Sequence, residues 1–228
     1  MTAVTRKPRH DPYRFIHKGL RIALLDTVQG LGRADPADDA ELTAALAAAD
    51  ELLALLLEHL RQENHFFHVA VEARQPGASK AMGEEHALLR DVLGDLQEDV
   101  GRVRRTAADA RAAQLHWLYQ RFCAMAAEQL THMQREEDEL APLLWSLYSD
   151  DELQAIHHRL LAASDARLLR VLVGWMADAL APRELAGLLA LVSRLAGHAD
   201  ATGLVEQLQQ RLGPARWARA EALLGVPA

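Results

Sequence analysis

His59-Leu60-Arg61-Gln62-Glu63 and His132-Met133-Gln134-Arg135-Glu136 repeat one pattern, a histidine followed four residues later by a glutamate. Residues four apart on an α-helix point the same way, so each segment would present an imidazole and a carboxylate side by side. Both segments lie inside long helical periodicity. Around the first, Leu42, Leu46, Ala49, Leu53, Leu56, His59, Glu63 and Phe67 recur at spacings of three and four. Around the second, Leu118, Phe122, Met125, Gln129, His132, Glu136, Leu140 and Leu143 do the same. The polar pairs therefore stand on the stripes that bury, where leucine would otherwise face the core.

Two further stripes carry one histidine each. Tyr13, His17, Leu20, Leu24, Val28 and Leu31 predict a helix from about Asp11 or Pro12 to Leu31. Met82, His86, Leu89, Leu93, Leu96, Val100 and Val103 predict another from about Lys80 to Arg105. The paired segments predict helices over about 39–73 and 110–147, the latter bent by Pro142, which cannot donate to the preceding turn. Short polar joints separate them: Gly32 to Asp38, the Pro76-Gly77 break, and Thr106 to Asp109. The expectation is an all-α protein, an up-down-up-down four-helix bundle with an added C-terminal layer of short helices.

Antiparallel alternation brings the four histidines to similar depth. His17 and His86 fall early in their helices, His59 and His132 late in theirs, so all lie towards one end of the bundle. Burying four imidazoles and two carboxylates with nothing to satisfy them costs several kcal/mol at least. His17, His59, Glu63, His86, His132 and Glu136 therefore read as metal ligands, and six donors suit two ions better than one. The competing reading is a buried network of His–Glu hydrogen bonds, unusually extensive for a bundle core. Glu58 and Glu85, each adjacent to a candidate histidine, offer an extra ligand or a hydrogen bond from behind the site, but one position off the stripe they are read as solvated. His65 and His68 are left out of the ligand set, as are His10, His116, His157, His158 and His198, which lack carboxylates at useful spacing.

Composition bounds the function. Half the residues are hydrophobic, and Leu, Ala, Glu and Arg favour helix. A net charge of −7 argues against general nucleic-acid binding, which wants a basic face. No uninterrupted apolar run is long enough to span a membrane. Met1 to Arg14 is polar, without an apolar signal region. The single Cys123 excludes an internal disulfide and fits a reducing compartment, so a soluble cytoplasmic protein is expected. Trp117, Trp145, Trp175 and Trp217 are read as packing residues. Domains are expected at 1–148, the bundle, and 149–228, a helical extension opened by the capping box Ser149-Asp150-Asp151-Glu152. The extension, read as short helices over Asp165 to Leu180, Pro182 to Gly197, Ala201 to Leu212 and Pro214 to Leu224, carries no metal-like spacing and is a candidate surface for a homodimer or a protein partner.

The chain resembles the hemerythrin-like (HHE cation-binding) family over roughly residues 11–148. The matching segments are His17-Lys18-Gly19-Leu20-Arg21, His59-Leu60-Arg61-Gln62-Glu63, Glu85-His86-Ala87-Leu88-Leu89-Arg90 and His132 through Pro142. The resemblance implies two non-haem irons, joined by a bridging oxo or hydroxo group. It makes the four histidines terminal ligands, with Glu63 and Glu136 bridging. Oxygen-carrying members have another histidine where this chain has Arg90, and a final carboxylate at the position of Glu137. Without that histidine, roughly eight of twelve octahedral positions are filled by protein and, after a shared solvent bridge, about two stay open.

The resemblance implies binding or sensing of oxygen, nitric oxide or iron, with Leu20, Leu56, Leu89 and Phe122 as walls that limit water entry. Two alternatives stay open. One is a di-iron peroxidase or oxidase, or an iron donor for repair of iron–sulfur clusters under nitrosative stress. The other is an interaction module gated by its metal state.

Overall fold

Side-chain oxygens start several of the helices by one chemistry, accepting the backbone N–H groups that a first turn leaves without partners. Asp11 accepts from the amides of Tyr13 and Arg14 at 3.0 and 3.1 Å, ahead of α1 (Arg14–Arg33). Asp38 accepts from Ala40 and Glu41 at 2.8 and 3.1 Å, ahead of α2 (Asp39–Glu63). Ser149 and Glu152 form the expected reciprocal capping box at the start of α7 (Asp150–Ala162). The computed structural model describes residues 9–194 and 201–224, and these contain helices and turns with no strand.

The remaining elements are α3 (Val69–Arg74), α4 (Lys80–Arg105), α5 (Arg111–Arg135), α6 (Ala141–Leu147), α8 (Ala166–Ala179), α9 (Pro182–Arg194) and α10 (Ala201–Glu221). By contact density the chain forms two compact units, Leu20–Leu140 and Met1–Gly19 with Ala141–Ala228. No helix among the described residues is long and apolar enough to cross a membrane.

The Leu20–Leu140 unit is the up-down-up-down bundle. Asn64 meets His86 while Arg104 meets Asp50, so α2 and α4 run antiparallel. Glu85 meets His132 while Asp99 meets Arg121, which sets α5 antiparallel to α4. Arg21 meets Glu137 while Gly32 abuts the Tyr119 ring, so α1 and α5 are antiparallel as well. The stripes fill the interior: Leu24, Leu46, Leu53, Leu93, Leu96, Val100, Leu118 and Phe122 are all buried. Trp117 departs from its expected packing role. It lies at the surface with the guanidinium groups of Arg102 and Arg121 over its ring.

Two predicted helices are not continuous. Each contains one widened π turn, Asn64–His68 after α2 and Glu136–Leu140 after α5. A π turn adds one residue per turn and so rotates everything that follows. Its effect is visible beyond the second one, where Leu144 is fully buried and Leu143, on the expected stripe, is only half-buried. Pro142 explains that turn's position. Its ring would crowd the carbonyl of Asp138, and it has no N–H to give, so the helix widens just ahead of the proline.

In the other unit, α8, α9 and α10 share a core of Val173, Leu180, Leu185, Leu189, Leu204 and Leu208, with Phe15 packed on it. Gly213, at φ 67°, interrupts α10 just before Pro214, so the two short helices expected there meet at a left-handed glycine. The last residues of the helix expected to reach Gly197 lie outside the described ones. Residues 9–11 are tied down by Arg9 on Asp150 at 2.6 Å, by the Trp145 indole N–H donating to the His10 carbonyl, and by the two imidazoles of His10 and His157, 3.1 Å apart.

Burial, then the neighbouring His10 and His158, push His157 down to about 4. His10 is also lowered by burial, against the opposing pull of Asp150 and Asp11. A histidine whose folded pKa lies below its unfolded value leaves stability intact above pH about 6.5 and removes it as pH falls towards 4. Chemical denaturation across that window should show a loss on the order of 2–3 kcal/mol, and His157→Gln should flatten it.

Candidate metal centre

Glu63 ends α2 and Glu136 opens the second π turn, and both side chains are buried from solvent, at 1% and 0% exposure. The two carboxyl groups face one another. Burial, then the charge of Glu136 and a hydrogen bond with it, hold Glu63 well above the usual carboxylate range. Glu63, His86, His132 and Glu136 each offer a ligand atom, all within 4.8 Å of one another. His59 joins them through Glu63, its Nε2 lying 3.3 Å from Oε1. His17 is fully buried on α1, on the face that carries Leu20 and Leu24, and its ring centroid is 5.0 Å from that of Tyr13.

The imidazoles are aimed by residues behind them. The Nδ1–H of His86 donates to Asn64 Oδ1 at 2.9 Å, which leaves Nε2 and its lone pair towards Glu136 Oε1 at 3.3 Å and Glu63 Oε2 at 3.9 Å. His132 is held alike, with Nδ1 donating to Glu85 Oε1 at 3.2 Å and Nε2 lying 3.4 Å from Glu136 Oε1. The second Glu85 oxygen is ion-paired with Arg135. A carboxylate or amide behind a histidine fixes its tautomer and raises its basicity as a ligand.

Glu85, expected to be solvated, thus reaches across from α4 to α5. Its signal is three-dimensional, because no spacing within one helix relates it to His132. Glu58 accepts from Arg61 and Gln62, each at 2.7 Å. Glu137, the neighbour of Glu136, turns to Arg21 at 2.7 Å, and Arg90 pairs with Asp91.

Asn64 and His68 were outside the expected set. They open and close the first π turn, so the same local widening delivers both. Asparagine is a weak helix former, and its place directly after Glu63 was the only hint. His68 is buried and its ring stacks on His86 with centroids 4.7 Å apart and planes 26° apart. Burial first, then His86, lower it to about 4, so it is neutral at pH 7. His65, His116 and His158 are exposed, and His157 pairs with His10. His198 lies outside the described residues.

These residues fit a metal. Two carboxylates in contact, both sealed from water, repel each other unless a cation or a proton lies between them. The imidazoles of His59, His86 and His132 beside them supply nitrogen donors, and mixed imidazole and carboxylate sets suit iron, zinc and manganese. Leu20, Leu56, Leu89 and Phe122, at most 5% exposed, wall the bundle interior. A groove of about 500 Å³ lined by Leu57, Leu60, Arg61, Asn64 and Arg90 reaches His86. Glu85→Gln should weaken zinc binding roughly 10–100-fold in a calorimetric titration while leaving helix content unchanged.

No curated protein and no solved structure matches the chain. The Hemerythrin HHE cation binding domain matches residues 13–144, more than half of its length and a span that holds every donor described above. With its buried glutamates and histidines inside that match, the chain belongs to the hemerythrin HHE cation-binding family.

Proposed function

We propose that this protein holds two non-haem irons and uses their open coordination positions to bind or sense a small ligand, oxygen or nitric oxide, or to respond to iron itself. The observation that carries this reading is the contact between Glu63 and Glu136, both sealed from solvent among imidazoles. His17 and His59 would hold one iron and His86 and His132 the other, with Glu63 and Glu136 supplying carboxylate oxygens to both. Bound iron would supply redox chemistry and a coordination position for a diatomic molecule.

The chain's own residues do the rest. Asn64 and Glu85 keep the Nε2 atoms of His86 and His132 turned inward by holding their Nδ1 protons. Leu56, Leu89 and Phe122 exclude bulk water, which strengthens every electrostatic interaction inside the bundle. The groove beside Arg61 and Arg90 gives a small solute an approach to His86. The lone Cys123 is consistent with a reducing compartment such as the cytoplasm.

Elemental analysis followed by anaerobic titration with oxygen and with nitric oxide tests the reading. About two irons per chain, and an absorption spectrum that changes reversibly with either gas, is the expected result. Sustained consumption of peroxide would assign the protein to the enzymatic alternative instead. Iron-loaded protein that responds to neither gas would contradict the proposal.

A further inference from the structure

We propose that His68 is an additional imidazole ligand of the metal ion at His86 and His132, supplied by the π turn that follows α2. The inference rests on the metal-binding reading above and adds a donor to it. Neither the spacing of the two His–Glu pairs nor the tight four-donor set contains His68.

Three observations meet at this side chain. His68 is 94% buried, from its 6% exposure, and its Nε2 atom has no hydrogen-bond partner. A phenylalanine would pack there equally well without that cost, because the contact His68 makes is face-to-face stacking on His86. Its distance is also informative. The His68 and His86 centroids are 4.7 Å apart, as are those of His86 and His132. Two imidazoles sharing an ion at right angles would have centroids roughly 4.5 Å apart, given metal–nitrogen bonds of about 2.1 Å. His68 thus lies as near His86 as His132 does, but with planes 26° apart against 71° for His132, so its Nε2 reaches the ion once the ring turns out of the stack.

The π turn explains why the position exists. In an uninterrupted helix, residues nine apart differ by about half a turn, so His68 would point away from His59. The extra residue in Asn64–His68 rotates it back to the buried face, beside Phe67. Widened turns of this kind recur at functional sites. His68 also lies outside the four donors gathered within 4.8 Å, so it closes on the ion rather than framing the site beforehand.

Zinc titration of the metal-stripped full chain tests this, comparing wild type with His68→Phe and His68→Gln. Phenylalanine keeps the stacked ring and removes the nitrogen. We expect wild type to take up two ions, and both variants to bind one of them at least tenfold more weakly, with the other unchanged and with metal-free melting no lower than wild type. On the unsubstituted chain, ¹⁵N-histidine spectra should move His68 Nε2 from the range of a free imidazole nitrogen to that of a metal-bound one as zinc is added. Wild-type affinity in His68→Phe, or a His68 Nε2 resonance that stays in the free range at saturating zinc, would overturn the proposal while leaving the metal site standing. A wild-type chain that binds no zinc would overturn both readings.

Discussion

Compared as metal-free proteins at neutral pH, Glu63→Gln/Glu136→Gln should melt well above wild type, although it should bind no divalent ion. The two carboxyl groups occupy a leucine-lined interior, where burial and then the charge of Glu136 raise the affinity of Glu63 for protons. Without a cation, ionising them places like charges together in low dielectric. Glutamine matches the shape and removes the charge, for a gain of about 3 kcal/mol. The sign with pH follows from the raised folded pKa of Glu63. Such a group contributes stability that is present below its unfolded pKa and lost as pH rises through the folded one. Metal-free wild type should therefore gain stability relative to the double variant as pH falls from neutral towards 4.5, opposite to the His157 effect. Paired melts at several pH values read the difference directly, and equal stability at neutral pH would show that the pair is not charged in the absence of metal.

His132→Ala should have the largest effect of any single histidine substitution. It removes a nitrogen donor, leaves Glu136 without one of its two neighbouring imidazoles, the one at 3.4 Å, and strips Glu85 of the proton it accepts. Iron content should fall from about two per chain to one or fewer, and the metal-loaded protein should lose about 3–5 kcal/mol, since the partner charge stays buried. His65→Ala, on the exposed side of the first π turn, should leave both quantities unchanged. Metal analysis beside a denaturation curve separates the two variants, and full iron retention by His132→Ala would remove that residue from the ligand set.

The bundle was legible because its polar donors fall on apolar stripes. Leu53, Leu56, His59 and Glu63 keep one period, as do Phe122, Met125, His132 and Glu136, and each of these side chains is buried. The breaks were equally plain, since Gly213 precedes Pro214 and Gly77 follows Pro76. What periodicity missed is the π turn. A slip of one residue leaves no trace when neighbouring positions have the same character. Leu143 and Leu144 are both leucine, so the sequence does not say which one turns inward. The same blindness hid His68, whose burial depends on the extra residue at Asn64–His68. Glu85 was missed for a different reason, because its partner His132 sits on another helix and no local spacing connects them.

The account rests on one balance: the buried glutamates are tolerable because cations lie between the donors. Melting the exhaustively chelated chain, then the same sample after anaerobic addition of iron(II), measures that balance directly. With free iron at about 100 times the dissociation constant of each site, the account predicts uptake of about two irons per chain and a rise of roughly 10–20 °C in melting temperature. A chelated chain that melts where the iron-treated one does, and takes up no iron, would contradict it.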